Sequence, residues 1–310
     1  MPKLLEVQVF SDFLYEIRTF FRKKNFIEVE TPLLNPFSTP EPHIQAFQIG
    51  KEYLITSPEF NLKTLVSWYK KNLFQIAHVF RKGDESKHHR KEFLMLEWYH
   101  IDYDHFDLME EVKELLLYLS ETIPQFHKIT TFRKISIKEL FYQKFQRGFH
   151  KEDLIEIIQE HQLTESKKLA TLEQEEYDDL FFLVFLSLIE PKLETEEPLF
   201  LYGYPKELRA YSRLDPDDPE ISCRFELYWK TWEIANGYYE ISNPQEQWEV
   251  FQQEIQKRKR LHKPIPPISE TFLRALPLPR CAGISIGLER LYLAFRNLKD
   301  ISQISFVGKF

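Results

Sequence analysis

The chain has 310 residues, 43% of them hydrophobic and 15% aromatic, with a formal net charge of −7. That is enough apolar material for one large or two modest cores. It excludes a disordered chain and a protein that binds polyanions with its whole surface.

Two cysteines, Cys223 and Cys281, give neither a disulfide framework nor a CxxC metal pair, so a reducing, cytoplasmic compartment is expected. The start, "MPKLLEVQVFSDF", lacks the apolar core of a signal peptide, and the longest apolar run, 180–189, is too short to span a membrane. In chain order, "VFSDFLYEIRTFFRKKNF" predicts a helix, with Phe10, Phe13, Leu14, Ile17, Phe20 and Phe21 on one face. "FIEVETP" alternates like a strand and stops at Pro32. "YLITSPEFNLKTLVSWYKK" reads as strand, cap and helix, with Ser57 able to cap, Pro58 in the first turn and Glu59 near the positive dipole end. "LFQIAHVFR" is a strand with Gln75, Ala77, Val79 and Arg81 on one face. After the loop "KGDESKHHRK", "EFLMLEWYHIDY" is a second strand whose Phe93, Met95, Glu97 and Tyr99 share a face, making an antiparallel hairpin. Residues 105–190 read as mostly helical, with the charged stretch 150–176 as a solvated insertion, and 198–205 as a strand. Residues 224–241 form another hairpin, with its turn expected at 229–230. A helix follows, capped by Ser242 or Asn243 with Pro244 in its first turn. "AGISIGLERLYLAFRN" is a short strand, then a helix burying Leu288, Leu291, Tyr292 and Phe295. With no repeat and no linker, one α+β domain over residues 1–310 is expected, an antiparallel sheet flanked by helices.

The eight glycines build no Walker loop and no GxGxxG, so a nucleotide would be held by arginines and metal. Arg81, at the mouth of its loop, suits a carboxylate and a phosphate, although a lone arginine is more often one half of a surface salt bridge. Glu97, between Leu96 and Trp98, needs a partner: either a structural Lys or Arg, or a cationic group of a substrate. A turn at 229–230 sets Glu226 opposite Glu233, a repulsion that Mg²⁺ would relieve; a turn elsewhere leaves one acid solvated. Glu59 and Glu240 add acids in apolar or aromatic surroundings, which suits a diamine. Gly287 at a helix start and Arg290 in its first turn favour an anion, while a capped core helix is the commoner reading. His88 and His89 form a poor zinc site and suit phosphate better. The basic run 256–263 is a solvated helix face or an RNA contact.

The first helix with "FIEVETP", then "FR…HH..EFLMLEWY", then "GISIGLER" resemble, in order, motifs 1, 2 and 3 of class II aminoacyl-tRNA synthetases, with "TSPE" and "EIANGYYE" between them. The resemblance spans nearly the whole chain and is nearest to the lysine branch. Motif 1 begins almost at Met1 and leaves no room for an anticodon-binding OB-fold. In this the chain resembles the elongation factor P–lysine ligase family. The resemblance implies a class II synthetase catalytic fold and a homodimer built through motif 1. It also implies an ATP-dependent ligase that activates lysine or (R)-β-lysine as an adenylate and passes it to elongation factor P, with Mg²⁺ and without tRNA or membrane. A truncated lysyl-tRNA synthetase acting on tRNA and a non-catalytic nucleotide-binding module are the alternatives. By the same resemblance, Arg81 would hold the substrate carboxylate and α-phosphate and Arg290 the γ-phosphate. Ser57, Glu59, Glu97, Tyr99, Asn236, Glu240 and Ser285 would line the amino-acid site. Gly83, Asp84, His89, Arg90, Glu233, Ile234 and Gly287 would border ATP, and Glu226 and Glu233 would hold Mg²⁺. The chain departs from the family pattern at three places. Arg81-Lys82-Gly83 replaces Arg-Asn-Glu, leaving Asp84 to read adenine. Arg90 replaces an asparagine and is available to phosphate. Ser285 replaces a glycine and would narrow the pocket beside the substrate, one way to a preference for a β-amino acid.

Overall fold

Aromatic residues spaced three and four apart build α1, Leu4–Lys23, which buries Phe10, Phe13, Ile17, Phe20 and Phe21 as its spacing predicts, with Val9 beside them and Leu14 half-buried. The computed structural model describes residues 4–83, 90–165, 171–193 and 195–304, so Asp84 and His89 lie outside the described residues. The chain groups into two compact units, residues 1–130 with 234–310, and residues 131–233.

In the first unit the strand expected at "FIEVETP" is only β1, Ile27–Glu28. A small antiparallel sheet follows, β2 (Leu34–Asn35), β3 (Gln48–Ile49) and β4 (Glu52–Leu54), in the order β2-β4-β3. Helix α2, Glu59–Tyr69, starts after Pro58. The cap position is Pro58 and not Ser57 as expected, but Ser57 Oγ still accepts from the Glu59 N–H at 3.0 Å. The expected hairpin is β5, Leu73–Phe80, and β6, Glu92–Ile101, followed by α3, His105–Thr122. Asp104 caps α3 with a reciprocal capping box through Asp107.

The second unit begins with β7, Arg133–Ser136, a strand the sequence reading missed, and continues with α4 (Ile137–Phe145), α5 (Lys151–Glu160) and α6 (Tyr177–Val184). Helix α5 corrects the reading of 150–176 as a solvated insertion. Its Leu154, Ile157 and Ile158 stripe lies in the same core cluster as Phe141, Phe181 and Leu201. β8, Thr195–Tyr202, pairs parallel with β7 and antiparallel with β9, Arg224–Lys230.

The chain returns to the first unit along β10, Trp232–Tyr239. Helix α7, Pro244–Arg260, is capped by Asn243, and α8, Glu270–Ala275, by Ser269. β11, Cys281–Gly287, then feeds α9, Leu288–Arg296, which buries the four predicted residues. The main sheet of this unit runs β1-β5-β6-β11-β10 and is antiparallel apart from β1 with β5. The basic run of α7 is not simply a solvated face. Arg258, 4% exposed, donates to the carbonyls of Thr39, Pro40, Glu41, Ile44 and Pro264 and so pins the proline-rich loop. Among the described residues no helix is long and apolar enough to cross a membrane.

Candidate functional site

Directly opposed residues of an antiparallel sheet point to the same face. The register β5-β6-β11-β10 therefore makes one row of Gln75, Glu97, Ser285 and Asn236. The next row is Leu73, Tyr99, Gly283 and Tyr238, and Gly287 stands opposite Met95 one step the other way. Four of the seven amino-acid-site candidates thus lie on one sheet face within two rows. Ser285, half-buried, stands between Glu97 and Asn236.

Glu97 is 2% exposed. It accepts from Tyr99 OH at 2.8 Å and from Ser57 OH at 2.7 Å. Burial raises its pKa well above the usual carboxylate range, and the nearby Glu59 adds to this; the two hydroxyls and Lys63 work against it. Burial and the same carboxylates keep the Tyr99 phenol protonated, so it remains a donor.

Helix α2 delivers Glu59, and one turn later Lys63, into this cluster. Lys63 is fully buried, with Nζ 2.5 Å from Glu59 and 2.6 Å from Glu240, and 6.0 Å from the centre of the Tyr99 ring. Burial pulls its pKa down, but the two carboxylates more than offset this and hold the ammonium above its ordinary value. Burial pushes Glu240 up to about 7, against the pull of Lys63. Lys63 is raised because it sees two carboxylates, and Glu240 because burial and the like charge of Glu59 outweigh the shared cation. Glu240 Oε1 has no hydrogen-bond donor among the described residues, and Oε2 has the Lys63 ammonium 2.6 Å away. An unmet buried acceptor of this kind is what a bound donor would complete. Gly283 makes room for the arrangement, since a Cβ there would overlap the Tyr99 ring and approach Glu240 Oε1 to 2.7 Å.

Neither Lys63 nor Gly283 was a sequence candidate. The i,i+4 spacing of Glu59 and Lys63 looks like an ordinary surface helix pair. Only the Tyr99 partner above Gly283 reveals why a side chain is excluded there.

Arg81 lies beside the cluster. Its Nε donates to Thr56 O at 3.2 Å, and its guanidinium sits 5.4 Å from the centre of the Phe93 ring. Its own N–H closes the hairpin onto Lys91 O. Arg290, half-buried, is in the first turn of α9, and Gly287 is the residue before that helix. The neighbouring Glu289 ties this helix start to β6 by accepting from Leu94 N–H at 2.9 and 3.1 Å; burial pushes its carboxyl up to about 7. Of the other nucleotide candidates, Gly83 is exposed with open space around it, and Ile234 is buried. Arg90 donates to Ile301 O at 2.8 Å, so one arm of the replaced asparagine position holds the C-terminal turn.

In the second unit, β9 ends at Lys230, which is left-handed with φ 57°, and β10 starts at Trp232. The turn therefore falls one residue later than expected. Glu226, 6% exposed, is also not left facing a bare like charge. Its Oε1 is 2.5 Å from Arg224, and its Oε2 accepts from Tyr204 at 2.6 Å and Tyr228 at 2.9 Å. Carboxylate oxygens suit Mg²⁺ in kind, but an ion at Glu226 would share Oε1 with Arg224. Among the described residues no group of three or more His, Cys, Asp or Glu is placed to hold a metal.

The profile of the family "tRNA synthetases class II (D, K and N)" matches residues 4–309. Three curated relatives carry the name elongation factor P–(R)-β-lysine ligase. The chain is 33% identical over 308 residues to that of Buchnera aphidicola subsp. Acyrthosiphon pisum (strain Tuc7), covering 95% of this chain and 92% of the relative. It is 32% identical over 301 residues to the Vibrio vulnificus (strain YJ016) protein, covering 93% and 91%. It is 30% identical over 310 residues to the Haemophilus ducreyi protein, covering 96% and 92%. The sheet that aligns Glu97, Ser285 and Asn236, and a match that runs almost end to end, together place this chain in the class II tRNA synthetase family of the D, K and N type.

Proposed function

We propose that the chain is an ATP-dependent ligase that activates lysine or (R)-β-lysine as an aminoacyl-adenylate and transfers it to a lysine side chain of elongation factor P. The observation that carries this reading is the charge of the buried pocket. Glu59, Glu97 and Glu240 are three carboxylates around one ammonium, Lys63, with Arg81 nearby. When all are ionised, the three acids and two cations sum to one negative charge. A guest with two ammonium groups and one carboxylate carries one positive charge and neutralises that set. A monoamino acid leaves a carboxylate uncompensated in a buried site, a cost of several kcal/mol at the order-of-magnitude level. The names carried by the relatives agree with this substrate class.

In this reading, Glu240 and Glu97 with Tyr99 receive one ammonium group, Glu59 and the free lone pair of Ser57 the other, and Asn236 lies beside them. Arg81 holds the carboxylate in line with the α-phosphate, and Arg290 steadies the far end of the triphosphate. The carboxylate oxygen attacks the α-phosphate and diphosphate leaves; the acceptor amine then attacks the acyl carbon and AMP leaves. Little proton transfer is needed before the amine attacks, so the rate comes from alignment and from compensating the phosphate charge. Mg²⁺ bound with ATP would supply part of that compensation. The test is mass spectrometry of elongation factor P after incubation with the protein, ATP and each lysine isomer, alongside ATP–diphosphate exchange. A mass gain of one lysyl group that requires the protein and ATP is expected. Exchange that ignores every diamino acid overturns the substrate assignment.

A further inference from the structure

The proposed function needs acids that are ionised when the guest arrives, and the pocket supplies an internal cation at the point where this matters. We infer that Lys63 is a positioning residue for substrate recognition: its buried ammonium bridges Glu59 and Glu240 and fixes where both carboxylates stand, so that the pocket accepts a doubly aminated guest. This deepens the proposed function and rests on it.

The geometry is specific. Glu59 is one helical turn before Lys63 on α2, and Glu240 follows the end of β10. Lys63, 2.6 Å from Oε2, is the donor and the balancing charge of Glu240, whose Oε1 has no donor among the described residues. The ammonium is therefore the link that sets the helix-borne acid and the sheet-borne acid at one distance from each other. A diamine must span such a pair of acceptors, so the length of the guest is fixed along with its charge.

The groups facing Lys63 can be named element by element. On its own helix it faces Glu59; past β10, Glu240; on β6, Glu97 through its charge and Tyr99 through its ring; on β11, the buried Cys281 thiol. The charged residues of the adjoining α8, Glu270 and Arg274, are exposed and pair with each other. Of the groups facing Lys63, Glu97 and Glu240 are the carboxylates that burial brings toward neutrality, so the ammonium acts through them. Without it, burial and the charge of Glu59 would leave Glu240 protonated. A protonated carboxyl cannot balance a substrate ammonium until its proton leaves to solvent.

The test compares lysine binding by the unaltered protein and by Lys63→Met, measured calorimetrically from pH 6 to pH 9, with ATP binding measured in parallel. The acid limb of the lysine affinity profile is expected to move up by about one to three pH units in the variant. At pH 7 lysine should bind at least about tenfold more weakly, with ATP affinity unchanged. An unmoved acid limb, or equal losses for lysine and ATP at every pH, would mean Lys63 is merely structural and overturns the inference while leaving the proposed function intact. An unaltered protein that binds no diamino acid overturns both. Should Lys63→Met fail to fold, the unaltered protein still decides through the ¹³Cε resonance of Lys63. That resonance is expected to keep the position of a protonated amine through pH 10 and to shift on addition of lysine but not of ATP. A resonance indifferent to lysine overturns the role.

Discussion

Two buried carboxylates of the first unit, Glu111 and Glu240, are each 2% exposed, and they have opposite surroundings. Glu111, on α3, accepts from the Trp98 indole at 2.9 Å and lies 3.0 Å from His100 Nδ1 and 3.3 Å from Lys24 Nζ. Its oxygens are fully engaged by β6 and the end of α1. Among the described residues Glu240 has the Lys63 ammonium alone, shared with Glu59, and its Oε1 has no donor. Burial alone therefore does not mark a functional acid; an acceptor left without a donor is the further sign that Glu240 carries. The completed cluster locks helix to sheet, and the incomplete one is left for a guest to finish.

The largest effect should come from the cation beside the incomplete cluster. Arg81→Ala is expected to lower lysine-dependent ATP–diphosphate exchange by about a thousandfold, because nothing else named here aligns the carboxylate with phosphate. Replacing the two acids in turn probes the contrast directly. Glu240→Gln should cost about a hundredfold in kcat/KM for lysine while leaving the ligand-free fold as stable or more so, since it removes a poorly compensated charge. Glu111→Gln should do the reverse, losing about 3 kcal/mol of stability in chemical denaturation with lysine KM little changed. If Glu111→Gln raises the lysine KM as much as Glu240→Gln, the distinction between the two clusters is lost.

Gly283→Ala pushes a methyl group into Tyr99 and toward Glu240, and about 1–3 kcal/mol of strain should appear as roughly tenfold weaker lysine binding. The pH dependence follows from Glu97, Glu240 and Glu289, whose carboxyls titrate higher folded than unfolded. Such groups favour the folded state at low pH, and that contribution is lost as pH rises through their folded values, near 7 for Glu240 and Glu289. The melting temperature of the ligand-free protein should therefore fall between pH 5.5 and pH 8.5, and added lysine should restore more of it at the higher pH. A melting curve that rises over this window would refute the raised carboxyls of Glu97, Glu240 and Glu289. The smallest effect belongs to Ser285→Gly. Opening the space between Glu97 and Asn236 should change the ratio of lysine to (R)-β-lysine activation by up to about tenfold, read by exchange with each isomer.

Much of this contrast was legible in the sequence. The stripe of α1, the alternation of β5 and β6, and the strand-to-helix step into α9 follow from dense apolar periodicity, and strand parity already put Glu97 and Tyr99 on one face. What stayed hidden had physical reasons. In α5 a three-residue apolar stripe is outnumbered by charges, and β7 is four residues without alternation. Lys63 carries a charge usually met on surfaces, and its burial follows from tertiary packing over α2 that no local pattern encodes. The hairpin turn was misplaced by one residue because Lys230 takes a left-handed conformation without being glycine or asparagine.

Ser57 imposes a directional filter on whatever enters. A hydroxyl has one proton and two lone pairs. Its proton goes to Glu97 and one lone pair receives the Glu59 N–H, so only the second lone pair faces outward. Ser57 can therefore welcome an N–H group and must rebuff an oxyanion, which steers the acidic end of an amino acid toward Arg81 before any bond is made or broken.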